Sequence, residues 1–174
     1  KSESAGQGDL RREQLAQASG RTLEIGAGNG FSLPYYTDRV QTLTLIEPNP
    51  EFRRQLASVV TTAEPRDVTV VDGDVHALDF PDASFDTVTA SLVFCSVTDP
   101  QQALSEVHRV LRPGGRFFFH EHVRGNGVRG VVQDLMTPLQ RRLADGCHAN
   151  RDFEGLLFES DLELDELVRT RMPA

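Results

Sequence analysis

Short apolar runs recur along this chain, separated by stretches with helical spacing. Residues 22–25 form one run and end in glycines. Residues 42–46 form a second and end at Glu47-Pro48-Asn49-Pro50. Residues 68–71 end at Asp72-Gly73-Asp74, and residues 85–92 make a fourth run. Residues 116–120 make a fifth, preceded by Pro113-Gly114-Gly115. Runs rich in β-branched and aromatic residues, bounded by Gly, Pro or Asp, predict strands.

The stretches between them predict helices. Residues 51–60 follow a Pro-Asn-Pro start. Residues 100–112 carry the clearest pattern: Asp99 caps, Pro100 suits the first turn, and Ala103, Leu104, Val107, Val110 and Leu111 share one face. Residues 127–143 also read as a helix, with Val128, Val131, Val132, Leu135, Leu139 and Leu143 at core spacing. Residues 1–9 are Ser/Gly-rich and expected to be mobile; residues 10–18 predict a short helix with Leu10, Leu15 and Ala18 on one side. Strands alternating with helices predict an α/β fold: a Rossmann-like, doubly wound, mostly parallel sheet with helices on both faces. The expected organisation is an N-terminal segment over 1–19 and one domain over 20–174. In such sheets ligands sit at the carboxyl ends of the strands, where the strand order reverses.

The first strand ends in Leu23-Glu24-Ile25-Gly26-Ala27-Gly28-Asn29-Gly30. Glycines let the backbone turn tightly and let a ligand approach without a Cβ in the way. The pattern is not a dinucleotide fingerprint. The third glycine of G-x-G-x-x-G falls on Phe31 in one register and on Leu33 in the other. That disfavours a pyrophosphate ligand and a nicotinamide-dependent oxidoreductase. Glu24 at the strand end repels phosphate and suits an ammonium or a hydroxyl-rich ligand. Glu47, ending the second strand, can accept from a ribose diol. Asp74, ending the third, can accept from an adenine amine with Val75 beside the base; the competing reading is a plain turn residue.

Composition narrows the partners. The 174 residues carry 18 Lys and Arg against 26 Asp and Glu, a net charge of −8. A chain so acidic is not expected to wrap nucleic acid or to lie on an anionic membrane. No apolar run approaches the ~18 residues of a membrane span, and no signal peptide is visible. The first residue is Lys1, so an upstream segment is expected to have been trimmed. Two cysteines, Cys95 and Cys147, make no disulfide framework, which points to a reducing, cytoplasmic location.

Taken together, E-I-G-A-G-N-G, I-E-P-N-P, G-D-V-H-A-L-D-F-P-D-A-S-F-D and V-L-R-P-G-G-R resemble the class I S-adenosylmethionine-dependent methyltransferases, in order over residues 22–123. The resemblance implies S-adenosyl-L-methionine as cofactor. It implies that Glu24, Gly26, Ala27, Gly28 and Gly30 line its methionine half and that Glu47 holds the ribose. Pro48 and Asn49 would flank the adenine, Asp74 and Val75 would meet its edge, and Ser91, Leu92 and Val93 would lie under the sulfonium. L-V-F-C-S-V, E-H-V and D-G-C further resemble the small thiol S-methyltransferases of the methyltransferase-like group; ubiquinone and menaquinone C-methyltransferases and phospholipid N-methyltransferases share the earlier motifs. The family finishes with a sixth strand and an antiparallel seventh. Residues 164–172 are the candidate sixth, and no run for the seventh follows within these residues; that strand is either absent or left out of this sequence, and only its true absence would leave a sheet edge uncovered.

The expected partner is a small-molecule methyl acceptor, first a thiol, with a quinone-like ring carbon, a phenol or an amine as the alternative; a non-catalytic S-adenosylmethionine-binding subunit is a further reading. His122 is the candidate catalytic residue. It follows the fifth strand on the cofactor side, and an imidazole takes a thiol or phenol proton near neutral pH. A substrate-shaping histidine is the competing reading. His120 and His122 share a strand face, but no third ligand at a suitable spacing completes a metal set, so no metal is expected. Glu121 points to the other face and reads as structural. Cys95, in an apolar stretch, reads as buried and inert. Cys147 and His148 sit in a loop expected to approach the pocket.

Overall fold

The computed structural model describes residues 5–60, 67–125, 127–143, 146–148 and 150–169. Five strands form one sheet: β1 (Gly20–Ile25), β2 (Val40–Ile46), β3 (Asp67–Val71), β4 (Phe85–Ser91) and β5 (Leu111–His120). Their order is β3-β2-β1-β4-β5, and every pairing is parallel. The chain thus winds outward from β1 in one direction, then returns to β4 and winds in the other. The carboxyl ends of β1 and β4 flank that reversal, where the two halves leave a crevice.

Period-two alternation sorts the strands' side chains. Leu23, Ile25, Val88 and Ala90 enter one apolar cluster with Ala103, Leu104, Val107 and Val110 of α3 (Pro100–Val110) and with Phe153 and Leu157 of α5 (Phe153–Phe158). On the other face, Leu43 and Leu45 pack with Leu56 of α2 (Pro50–Val60) and with Leu15 and Ala18 around α1 (Ala5–Leu15). Helices cover both faces, as the pattern predicts. The α1 face also buries polar side chains, Thr22, Glu24, Thr87 and Thr89.

Several boundaries differ from expectation. The helix predicted over 10–18 runs over Ala5–Leu15, so residues 5–9 are helical; residues 1–4 lie outside the described residues. Residues 16–18 instead close tighter turns, with Ala18 N–H donating to Leu15 O at 3.1 Å. The third helix stops at Val110 rather than Arg112 because Pro113 disfavours helical backbone just before it. Leu111 is already extended and pairs with Phe85, so the Pro-Gly-Gly loop sits inside β5 as an irregularity rather than before it. The helix over 127–143 forms as α4 (Val128–Leu143), but several of its expected core positions face outward: Val128 is 81% exposed and Leu135 76%.

No sixth strand forms over 164–169, and residues 170–172 lie outside the described residues. Charges interrupt the run there. Asp165 pairs with Arg116 at 3.3 Å, and Arg169 pairs with Glu154, so the segment is held by side chains instead of a ladder. Among the described residues β5 pairs only with β4. A groove of about 1060 Å³ runs along its open edge, between α1 and residues 161–169. Among the described residues no helix is long and apolar enough to cross a membrane.

Leu104 is fully buried where α3 meets the sheet. Leu104→Ala should lower unfolding free energy by about 2–5 kcal/mol, the cost of a large-to-small change in a packed core. Chemical denaturation reads this directly; a loss below ~1 kcal/mol would show that α3 does not anchor that face.

Candidate active site

The loop after β1 is tied to the loop after β2 by one carboxylate. Gly28 N–H donates to Glu47 Oε2 at 2.8 Å, and Asn49 N–H donates to Glu47 Oε1 at 2.9 Å. Glu47 is buried, while Pro48 and Asn49 are exposed beside it. Asn49 Oδ1 accepts from Glu51 N–H at 2.9 Å and so starts α2. Arg53 Nη1 donates to the carbonyls of Glu47 and Pro48, each at 2.7 Å, which fixes the turn from below.

Two of the loop glycines serve different ends. At Gly26 (φ +66°) a Cβ would lie 2.6 Å from Val93 Cγ2, so this glycine lets the loop close on the turn after β4. At Gly28 (φ +56°) a Cβ would meet nothing within 4 Å. The backbone there borders open space, and a side chain would project into it. Ala27 is buried behind the loop, and Gly30 backs onto Leu33 and Leu56.

Glu24 lies beneath this loop on the polar face. Tyr36 Oη donates to Glu24 Oε2 at 3.1 Å and lies 2.7 Å from Thr89 Oγ1. Burial pushes the Glu24 carboxyl up to about 7, against the opposing pull of hydrogen bonds from Ser32 and Tyr36 and of the Arg11 charge. Helix α1 crosses nearby: Gln14 Nε2 donates to Ala90 O at 3.3 Å, and Ser91 Oγ donates to Gln14 Oε1 at 3.4 Å.

Asp74 is mostly committed to its own turn. Its Oδ1 accepts from His76 N–H at 3.0 Å and from His76 Nδ1 at 2.5 Å. Because His76 Nε2 accepts from Asp99 N–H at 3.1 Å, the neutral imidazole carries its proton on Nδ1. The backbone bond from His76 is the main reason that the Asp74 carboxyl lies below the usual range. Asp74 Oδ2 remains exposed, and Val75 is buried beside it. The turn role that competed for this residue is therefore realised, with one oxygen to spare.

The turn after β4 has the same design as the glycine loop. Leu92 has φ +59°, a left-handed conformation strained for a branched side chain, and its N–H donates to His120 O at 2.7 Å. Glu121 reaches under this turn. Its Oε1 accepts from Val93 N–H at 2.7 Å and Phe94 N–H at 2.8 Å, and its Oε2 from Cys95 N–H at 3.2 Å. Burial outweighs these three bonds and pushes the Glu121 carboxyl up to about 7. Its structural role is as expected; its position as the clamp of the turn was not legible from spacing.

His122 follows directly. Burial lowers its imidazole below the ordinary histidine value, so the ring is neutral near pH 7. Its Nδ1 lies 3.8 Å from Cys147 Sγ, and Cys95 completes a group whose donor atoms all lie within 4.8 Å. His120 is not among these donors: the residues gathered around His122 are Cys95 and Cys147, distant in sequence, where no third ligand was expected. Cys95 is buried as expected, and burial raises its thiol. The loop carrying Cys147 and His148 does reach this point, although Asp145 lies outside the described residues. His148 N–H donates to Cys95 O at 2.7 Å, and Arg151 donates to the carbonyls of Phe94 and Val97 and to His148 Nδ1.

The structure therefore gathers Glu24, Gly26, Ala27, Gly28, Gly30, Glu47, Pro48 and Asn49 at the ends of β1 and β2. It places Asp74 and Val75 after β3, and Ser91, Leu92, Val93 and His122 at the ends of β4 and β5. Arg11, Gln14, Tyr36 and Arg151 also reach this edge, and nothing in their local sequence marks them.

The profile of the methyltransferase domain family matches residues 23–119. Thiol S-methyltransferase TMT1B of Rattus norvegicus is 35% identical over 136 residues, covering 75% of this chain and 54% of that protein. The chain spans about half the length of that relative. Phosphatidylethanolamine N-methyltransferase of Cereibacter sphaeroides is 33% identical over 149 residues, covering 84% of this chain and 72% of that protein. The crystal structure of YcgJ from Bacillus subtilis superposes with a TM-score of 0.72 at 24% identity, covering 87% of this chain and 65% of that one, a likeness of fold. A parallel sheet of this order, a glycine loop tied to the acid after β2, and these matches lead to one assignment: the chain belongs to the S-adenosylmethionine-dependent methyltransferase family, whose cofactor is S-adenosyl-L-methionine.

Proposed function

We propose that this chain transfers a methyl group from S-adenosyl-L-methionine to a small apolar thiol. The observation that carries the cofactor half is Gly28, whose N–H is held by Glu47 and whose missing side chain borders open space. When bound, S-adenosylmethionine supplies a methyl carbon made electrophilic by its sulfonium.

The chain's own residues bind and orient. Gly26, Ala27, Gly28 and Gly30 leave room for the methionine half. Glu24, whose carboxyl is pushed up to about 7 by burial, gains a partner for its ionised form in the ligand's ammonium. Glu47 keeps lone pairs beyond its two backbone donors and accepts from the ribose diol. Pro48 and Asn49 flank the adenine, Val75 packs at its edge, and Asp74 Oδ2 accepts from its amine. Ser91, Leu92 and Val93 form the wall under the reacting centre.

The acceptor meets His122. A neutral imidazole in a half-buried site makes a thiolate available at a pH where a thiol is mostly protonated. The thiol reading draws support from the 35%-identical thiol S-methyltransferase. The name of the phosphatidylethanolamine N-methyltransferase supports an amine instead, and a panel of thiols, phenols and amines separates the two.

Gly28→Val should abolish S-adenosylhomocysteine binding while the fold persists, because the added carbons enter ligand space rather than the core. Gly28→Ala should lose about 1–2 kcal/mol of stability from its left-handed backbone and bind weakly. Calorimetric titration reads both, and full-affinity binding by Gly28→Val would place the cofactor elsewhere.

For His122→Ala the expected result is a turnover at least ~10-fold lower on the thiol at neutral pH, general-base contributions being typically ~10²–10⁴-fold, with cofactor affinity nearly unchanged. The loss should shrink as pH rises toward the thiol's own pKa, and an aryl thiol should lose less than an alkyl thiol. Full turnover of the variant at neutral pH would remove His122 from the chemistry.

A further inference from the structure

Two thiols and an imidazole meet where β4 and β5 end. Cys95 comes from the turn after β4, His122 from the exit of β5, and Cys147 from a loop beyond α4. We propose that Cys95, His122 and Cys147 bind one thiophilic divalent cation, zinc, with its fourth coordination position open to the acceptor.

Distances agree with this assignment. With Zn–S near ~2.3 Å and Zn–N near ~2.1 Å, donors of a tetrahedral site sit roughly 3.5–3.8 Å apart. His122 Nδ1 and Cys147 Sγ are 3.8 Å apart, and no pair of donors in the trio exceeds 4.8 Å. Closing on a cation needs side-chain rotation of about 1 Å, not a new backbone.

The backbone that carries these donors has its own partners, and Glu121 also accepts from the Cys95 thiol. Glu121 holds the N–H groups of Val93, Phe94 and Cys95. His148 N–H binds Cys95 O at 2.7 Å, and Arg151 binds Val97 O at 2.7 Å, which locks the Cys147 loop against the Cys95 turn. Such supporting bonds are what orient the ligands of a metal site. Sulfur and imidazole donors favour zinc over calcium or magnesium.

Among the described residues the set has three members, the number found in catalytic rather than structural zinc sites. Resting on the thiol reading above, the fourth position takes the acceptor's sulfur: its S–H bond breaks, the proton leaves to water, and a metal–sulfur bond forms. Both cysteines bind as thiolates and release their protons likewise. His122 then serves the acceptor through the cation that its imidazole ligates, and that cation holds the sulfur in its ionised form.

The test titrates the reduced, metal-free chain with zinc against a chromophoric chelator, and with cobalt(II) read by its absorption. One equivalent per chain is expected, with a tetrahedral thiolate–cobalt spectrum. Cys147→Ser and His122→Ala should each weaken zinc binding at least ~10-fold; Cys147 is only half-buried, and thermal melts confirm that its variant is folded. Absence of stoichiometric uptake, wild-type affinity in both variants, or a Cys95–Cys147 disulfide formed in place of uptake overturns the site. If cobalt binds but an added thiol leaves its spectrum unchanged, the site stands and the acceptor's place on it falls. If the zinc-free chain methylates thiols at full rate, the cation's role falls and the thiol reading stands.

Discussion

Parallel strands end with backbone N–H groups that no neighbouring strand can satisfy, and this fold answers them with buried carboxylates. Glu47 takes the N–H groups of Gly28 and Asn49; Glu121 takes those of Val93, Phe94 and Cys95. Hydrogen bonds to a charged group are worth about 1.5–3 kcal/mol each, enough to hold a loop in a conformation it would not adopt alone. Without them, the loops at the carboxyl edge would expose unpaired donors or collapse on one another.

The left-handed backbone follows from the same ties. Gly26 and Gly28 turn tightly because the next loop holds their chain, and Gly26 must lack a Cβ because Val93 stands in its place. Leu92 bears its positive φ between a bond to His120 O on one side and the Glu121 clamp on the other. Burial acts against ionisation at both Glu24 and Glu121, whose carboxyls rise to about 7. The carboxylates differ in what surrounds them. Glu121 is enclosed by backbone donors and serves the turn. Glu24 is bonded by the Tyr36 phenol and the Ser32 hydroxyl and sits in the strand that leads into the glycine loop.

Much of this was legible in the residues. Strand-ending motifs located β1 to β5 to within a few residues, and the acids Glu24, Glu47 and Asp74 sit at the carboxyl edge where their motifs put them. What escaped the pattern depends on chain segments distant in sequence. Nothing local marks Glu121 as the partner of three amides, or joins Cys95 and Cys147 to His122. Periodicity also misled: the apolar spacing of α4 predicts a core face, yet Val128, Val131, Val132 and Leu135 are exposed. Helical spacing of apolar residues says that one side of a helix is apolar; it does not say what covers that side. The run at 164–172 shows the reverse: over 164–169 a strand-like spacing forms no ladder, and the segment meets β5 through the Asp165–Arg116 ion pair instead.

An ammonium docked on Glu24 would change that carboxyl's protonation, and proton uptake or release on binding reads this most directly. A carboxyl raised to about 7 is partly protonated below that pH, and a cation placed beside it lowers its pKa. Binding must therefore release protons, with affinity rising as pH approaches about 7 from below and levelling off above it. S-adenosylhomocysteine titrated calorimetrically at about pH 6.5, in buffers of different protonation enthalpy, should show net proton release in the wild type and much less in Glu24→Gln. Wild-type binding whose heat is the same in every buffer would mean that the ammonium does not sit on Glu24.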